Sequence, residues 1–497
     1  MLRTIRLTLA LLCFVGVTLL FLDFTGTLHA WLGWLARLQF LPAFLALNVG
    51  VVVFLVLLTL VFGRVYCSVI CPLGVMQDIV AWFGKRKKRN RYSYSRPKQW
   101  LRWGVFAVFA ASMLAGIGSL AALLAPYSAY GRIASNLFAP LYRWGNNLLA
   151  LLAARLDSYA FYSTDVWLKS LPTFLIALAT FAVIAVLAWR GGRTYCNTVC
   201  PVGTLLGLLA RWSWLKPVID TDKCVSCRLC ARNCKAACID VSLHKIDYSR
   251  CVACMDCIGK CHTGAISYRH PSKAPKPAPQ PESPARTADK GRRNFLTATA
   301  LAATAATLHA QEKKVDGGLA VIEDKVAPAR QTHLVPPGAW SAQHFAQHCT
   351  ACQLCVSVCP NDVLRPSTGL LTLMQPEMSY ERGYCRPECT KCGDVCPTGA
   401  IHPITRAEKS ATQIGHAVWV RKNCIPLTDG VECGNCARHC PAGAIMMIPS
   451  KAGHPESLKI PAVNVERCIG CGACENLCPA RPFSAIYVEG LEMHREI

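Results

Sequence analysis

Long apolar runs in the first two hundred residues, and thirty cysteines gathered almost entirely into runs of four, predict a two-part fold. The first part is membrane α-helical, with four spans and a fifth signal or anchor helix further on. The second consists of small modules built around metal. The spacing in most of the runs, Cys-x2-Cys-x2-Cys-x3-Cys, is that of ligands to a [4Fe–4S] cubane, so the modules are of the α+β ferredoxin-like kind. Hydrophobic residues make up 53% of the 497 and charged residues 16%, the balance of a chain partly in lipid. The net charge of +24 belongs to polybasic cytoplasmic loops and a basic linker rather than to nucleic-acid binding, for no nucleic-acid motif accompanies it. A secreted disulfide scaffold would scatter its cysteines at varied spacings.

Residues 1–215 read as the membrane domain. The expected spans are Leu7–Phe24, Leu41–Phe62, Trp103–Ala125 and Leu171–Trp189. The last three are long enough for a hydrocarbon core of about 30 Å, and the first ends at Asp23. Trp31, Trp34, Trp100, Trp103, Trp167 and Trp189 lie near the span ends, where an aromatic belt sits. Arg3 and Arg6 precede the first span, Lys85–Arg89 and Arg91 follow the second, and Arg190, Arg193, Arg211 and Lys216 follow the fourth. By the positive-inside rule the N-terminus is cytoplasmic.

One pattern, G-R-x-Y-C-x3-C-P-x-G, occurs twice here, at 63–74 and 192–203. Its cysteines, Cys67, Cys71, Cys196 and Cys200, fall on the cytoplasmic side as redox or metal-binding thiols, with structural packing as the alternative. Cysteines four apart share one face of a helical turn. Pro72 and Pro201 suit the first turn of a following helix. Those helices, Leu73–Phe83 and Val202–Trp214, are expected at the membrane surface. Cys13, alone in a span, reads as a small apolar residue.

Residues 216–270 carry Cys224-x2-Cys227-x2-Cys230-x3-Cys234 and Cys251-x2-Cys254-x2-Cys257-x3-Cys261. Three cysteines wrap one cubane and the fourth serves the other. Cys224, Cys227, Cys230 and Cys261 are therefore expected to hold one cluster, and Cys251, Cys254, Cys257 and Cys234 the second. Lys235 and His262 stand where proline is usual, and Cys238 is a spare thiol able to replace Cys234. Residues 271–290 are a Pro-rich linker. Residues 291–310 carry Arg292-Arg293-Asn294-Phe295-Leu296 and an Ala/Thr/Leu run, which resembles a twin-arginine (Tat) export signal. Residues 311–497 are then periplasmic and hold four more motifs: Cys349, Cys352, Cys355, Cys359; Cys385, Cys389, Cys392, Cys396; Cys424, Cys433, Cys436, Cys440; and Cys468, Cys471, Cys474, Cys478. Each of the four ends in Cys-Pro. Six [4Fe–4S] clusters are expected in all. Which of the last four motifs exchange their fourth ligand is left open by the spacing. No haem-attachment or nucleotide-binding motif is present, and His344 and His348 read as cluster surroundings.

Residues 1–270, with four spans, twin C-x3-C-P motifs and a two-cluster module, resemble the NapH-type membrane component of quinol dehydrogenases. Residues 290–497, with the Arg292-Arg293 signal and four cluster motifs, resemble the NapG/MauM-type exported ferredoxin. The resemblance implies a fusion of the two: a multi-pass protein of the bacterial inner membrane that takes electrons from the quinol pool toward a periplasmic reductase, with nitrate reductase the leading candidate. Asp23, His29, Gln77 and Asp78 are the polar candidates for a quinol site. The membrane half also resembles copper-reducing assembly factors for haem–copper oxidases, and a maturation or scaffold role for a periplasmic molybdoenzyme is the third alternative.

Overall fold

The computed structural model describes residues 2–85, 92–158, 160–271 and 324–497. The basic residues 86–91, the linker beyond residue 271 and the twin-arginine segment lie outside the described residues. The first part is helical, and the helices that position its sites are α1 (Leu2–Leu22), α2 (Val49–Phe62), α3 (Pro72–Lys85), α4 (Gln99–Leu114), α5 (Gly118–Leu124), α6 (Pro126–Ile133), α7 (Leu171–Gly191) and α8 (Pro201–Leu209).

Only α1 and α7 are, among the described residues, long and apolar enough to cross a membrane as single helices. Each has 21 residues, which at a rise of 1.5 Å makes about 31 Å. The two other expected spans are broken by local backbone chemistry. Asn48 starts α2 late: its side chain accepts from the Val51 amide at 3.2 Å, and Leu47 before it has a left-handed φ of 51°. This leaves 14 residues of α2 after the short helix Phe40–Leu45. In the third, Gly116 (φ 72°) turns the chain between α4 and α5.

The helices after the two Cys-Pro steps, expected at the membrane surface, pack against other helices of the domain. After α2 the chain turns at Gly63 (φ 64°), makes the short helix Val65–Val69 and returns as α3. Helix α3 packs along α7, and Gly84 closes against Trp189 at the end of α7. The second copy repeats this: Gly192 (φ 65°), the helix Thr194–Thr198, then α8 against α2 and α4. Leu73, Met76, Gln77, Val202 and Leu206 are buried, while Ile79, Trp82 and Phe83 of α3, and Trp212 just beyond α8, are exposed. Two hairpins thus meet inside the helical domain, and a composition-based reading cannot tell a helix packed in this way from an interfacial one.

The cluster-bearing regions are built of two-stranded antiparallel sheets. In the first, Lys216–Ile219 pairs with Ile266–Arg269; in the second region the longest pairing is Thr412–Trp419 with Ile486–Glu496. The two regions contact opposite ends of α1 and α7. At one end, Arg3 bonds Asp256 at 2.9 Å, the Arg193 amide donates to Lys235 O at 2.8 Å, and Tyr268 Oη donates to Phe62 O at 2.8 Å. At the other, Lys391 Nζ donates to Thr25 O at 3.3 Å, Lys169 Nζ to Val356 O at 2.9 Å, and Asn136 Nδ2 to Gln353 Oε1 at 2.8 Å. Asn136 sits in a π-helical turn, Ala134–Phe138, that interrupts the helical run leading on from α6.

Candidate iron–sulfur ligand sets and a buried thiol site

The regular motifs share a backbone device. Both residues flanking the second cysteine have left-handed φ: Ser226 (51°) and Arg228 (61°), Ala253 (49°) and Met255 (61°), Ala351 (50°) and Gln353 (65°), Gly470 (76°) and Gly472 (79°). Two such residues in five curl the loop so that three thiols converge on one point. A short helix then carries the chain to the fourth cysteine, and in three of the motifs, two irregular and one regular, the sulfur of that cysteine accepts a backbone N–H from a residue further along the chain. Ile401 N donates to Cys396 Sγ at 3.4 Å, Ala444 N to Cys440 Sγ at 3.2 Å and Ala485 N to Cys478 Sγ at 3.3 Å. The small residues after Cys-Pro let that amide approach.

In the first module the cysteines gather in the two sets that the expected exchange requires. Cys224, Cys227, Cys230 and Cys261 line one small apolar cavity. Cys251, Cys254, Cys257 and Cys234 line another. Cys238 Sγ lies 3.5 Å from Cys234 Sγ, so the spare thiol adjoins the second set. In the second region neighbouring motifs exchange, an arrangement the spacing left open. Cys349, Cys352 and Cys355 gather with Cys396; Cys385, Cys389 and Cys392 with Cys359. Cys424, Cys433 and Cys436 share a small cavity with Cys478, and Cys468, Cys471 and Cys474 gather with Cys440. The long first intervals of the two irregular motifs are absorbed without disturbing this. All-thiolate donor sets around cavities of this kind fit [4Fe–4S] clusters. The two pairs of sets are joined where the Cys385 amide donates to Cys471 O at 2.9 Å and where buried Tyr380 reaches Gly470 O at 2.6 Å.

Lys235, standing where proline is usual, has a docking role. Its Nζ lies 3.0 Å from Asp256 and 3.4 Å from Asp78, tying the ferredoxin module to α3. Burial works against ionisation of Asp256, yet Lys235 beside it, with Arg3, holds the carboxyl below the usual carboxylate range. Asp78 also pairs with Arg193 at 2.8 Å and with Arg6.

The twin motifs come together. Cys67, Cys71, Cys196 and Cys200 are all buried, 4–5% exposed, and lie within electrostatic reach of one another. The arginine, tyrosine and second glycine shared by the two copies each serve the pairing. Arg64 Nη2 crosses to Cys196 O at 3.2 Å, and Arg193 Nη1 crosses to Cys67 O at 2.6 Å. A Cβ at Gly74 would strike Cys67 O and the Arg193 guanidinium; one at Gly203 would strike Cys196 O and the Arg64 guanidinium. Tyr66 Oη donates to Gln39 Oε1 at 3.1 Å, and Tyr195 Oη to Leu124 O at 3.2 Å. The arginines escaped the sequence reading, although the repeat itself carried them.

Of the quinol-site candidates, Gln77 and Asp78 are drawn into this centre: Gln77 Nε2 donates to Cys196 Sγ at 3.3 Å. Asp23 and His29 form a separate pair at the far end of α1. His29 Nδ1 lies 3.1 Å from Asp23 Oδ2, and the carboxylate accepts the amides of Thr25, Gly26 and Leu28. His29 Nε2 is buried with no hydrogen-bond partner among the described residues. Burial holds its pKa below the ordinary value despite Asp23. His344 and His348, expected as cluster surroundings, stack at 4.2 Å beside Cys349.

Comparisons with known proteins agree with the cluster reading. A "4Fe-4S binding domain" model matches residues 44–91 and 173–219, another of the same description matches 343–365, and a "4Fe-4S dicluster domain" matches 431–481. The chain is 34% identical over 169 residues to the methylamine utilization ferredoxin-type protein MauM of Methylobacillus flagellatus, covering 32% of this chain and 70% of that protein. It is 32% identical over 160 residues to the ferredoxin-type protein NapF of Escherichia coli, covering 32% and 86%. Over 201 residues it is 31% identical to the ferredoxin-type protein NapG of Escherichia coli, covering 38% and 81%. No solved structure matches. With its cysteine sets and these relatives, the chain belongs to the family of ferredoxin-type iron–sulfur electron-transfer proteins that includes NapF, NapG and MauM.

Proposed function

We propose that the chain is a fused quinol dehydrogenase of the inner membrane: a NapH-type membrane half and an exported NapG/MauM-type half, carrying six [4Fe–4S] clusters and passing electrons from quinol to a periplasmic reductase, nitrate reductase first among the candidates. The observation that carries the reading is the attachment of two cluster regions to opposite ends of α1 and α7, each about one bilayer long. Such an arrangement has use in moving electrons between compartments and none in a soluble ferredoxin. The similarity to NapG and MauM favours electron transfer over copper reduction or a maturation role, since those leave the four-motif half unexplained.

Quinol oxidation releases two electrons and two protons, whereas a cubane takes one electron at a time. The Asp23–His29 pair suits proton acceptance. Its imidazole is held neutral, oriented by the carboxylate and adjacent to the loop that touches Lys391, next to the ligand Cys392. Anaerobic protein mixed with a reduced quinone analogue should show cluster reduction by EPR. His29→Gln should slow that reduction by roughly 10²-fold or more while leaving reduction by dithionite intact. No cluster reduction by quinol in the wild-type protein would refute the reading.

A further inference from the structure

One face of the Cys349 set is closed by the helical part. Cys352, its second cysteine, lies against α6, for a Cβ at Gly131 would strike Cys352 O. Asn136 fixes the contact: its Nδ2 donates to Arg132 O at 2.9 Å and to Gln353 Oε1 at 2.8 Å. Two side chains of α6, Tyr127 and Arg132, are fully buried here and within electrostatic reach of Cys352. Tyr127 is also in reach of Cys396, the fourth cysteine of the set.

Both side chains hold donors that the polypeptide does not receive. Arg132 Nη1 donates to Ala122 O at 2.9 Å. Its Nε and Nη2 have no partner among the described residues, and no carboxylate pairs with it there. Tyr127 Oη is likewise without a partner among the described residues. Unmet buried donors are destabilising, and a buried guanidinium without a counter-charge is more so. Cations beside other cysteine sets are placed differently. Lys409 Nζ donates to Arg386 O at 2.6 Å and to Cys389 O. Lys325 Nζ donates to Asn476 O at 2.6 Å and to Cys478 O at 2.9 Å, and Lys235 faces Asp78 and Asp256. Those ammonium groups are occupied by the polypeptide, whereas the free donors of α6 suit a negatively charged acceptor beside Cys352. The sulfurs of a [4Fe–4S] cluster held by Cys349, Cys352, Cys355 and Cys396 are such an acceptor.

We propose that Tyr127 and Arg132 of the helical part set the reduction potential of the cluster in the Cys349 set, directing their free O–H and N–H donors at its sulfurs and raising that potential. Reduction adds one electron to the cluster and makes its sulfurs more negative, so the donors favour the reduced form. No covalent bond changes and no proton moves. Because the donors belong to the first part and the cluster to the second, the full potential requires the two to be docked. A raised potential here makes this cluster a favoured acceptor for electrons arriving from the helical part; that consequence rests on the quinol-to-reductase reading, and the tuning itself does not.

The test is a redox titration of the intact chain, purified without oxygen, reduced with dithionite and followed by EPR. Cys355→Ser identifies the transition that belongs to this set. Arg132→Gln should keep its iron and lower the midpoint of that one transition by at least about 59 mV, a tenfold change in the equilibrium of a one-electron couple. Tyr127→Phe should lower it by less, and Arg132→Lys should retain most of the wild-type value. A side chain that only packs α6 against the loop would alter stability and not this midpoint. An unmoved midpoint in Arg132→Gln, or an equal shift of every transition, would overturn the proposal. Should Arg132→Gln fail to assemble the cluster, Tyr127→Phe decides, and an unmoved midpoint there overturns it as well. A shifted midpoint in a chain that quinol does not reduce would uphold the tuning and count against the functional reading alone.

Discussion

Gly472 shows how little room a cluster loop leaves its residues. Its φ is 79°, and a Cβ there would strike the ring of Tyr380, which is fully buried and bonded to Gly470 O. Gly472→Ala should therefore cost more than the roughly 1–3 kcal/mol of a strained backbone residue, because Tyr380 must move as well. Iron content and denaturant midpoint check this; a variant with full iron and an unchanged midpoint would show the loop to be pliable. His494 offers a pH handle on the same region. It lies on the last strand, with neither ring nitrogen partnered among the described residues, and burial pushes its pKa down to about 4. The folded state thus binds the proton less well than the unfolded chain, whose imidazole titrates near 6.5. Its contribution to stability is complete above about pH 6.5 and is lost as pH falls toward 4, with a slope of up to about 1.4 kcal/mol per pH unit. His494→Gln should flatten the acid limb of the unfolding curve in that window and leave the curve at pH 8 unchanged.

At the scale of elements, what the sequence disclosed depended on how local the cause was. The cysteine sets that gather in the structure were legible because cluster geometry imposes a short covalent spacing. The exchange between neighbouring motifs was not, since it depends on how two loops pack and not on either alone. Span lengths were overestimated because hydropathy sums straight across Asn48 and Gly116, where the backbone turns. The packing of α3 inside the helical domain was hidden for a related reason: an apolar helix ending in Trp and Phe has the same composition whether it lies on a membrane or inside a bundle. Its buried Asp78 was the one available clue, for a carboxylate on such a helix needs partners. Asp78→Asn removes the common anion of Arg6, Arg193 and Lys235. Breaking a buried network in this way costs about 3–5 kcal/mol. The variant should unfold at lower temperature and expose the 216–270 module to protease while the second region keeps its resistance. Equal protease resistance of the module in both proteins would show that Lys235 docks through Asp256 alone.

For the whole molecule, direction follows from which ends of the helices meet which region. Helix α1 begins beside Asp256 and ends beside Lys391; α7 begins beside Val356 and ends beside Lys235. Two antiparallel helices of about 31 Å therefore agree on the same polarity. On the proposed reading, the distribution of Lys and Arg would put the Asp256 end in the cytoplasm. If that polarity is a membrane polarity, the chain between His270 and Asp324 must carry the second region to the other side, and that interval holds Arg292-Arg293 with its apolar run. Fusions to alkaline phosphatase, which matures only outside the cytoplasm, and to a fluorescent protein that matures only inside, read this directly. The join at His270 should give fluorescence without phosphatase activity, and the join at Ile497 the reverse. Arg292→Lys/Arg293→Lys should abolish phosphatase activity at Ile497 and leave the His270 fusion unaltered, since the helices before it insert on their own hydrophobicity. Both joins reporting from one compartment would leave α1 and α7 as core helices of a protein with a single sidedness, and the quinol reading would lose its geometric support.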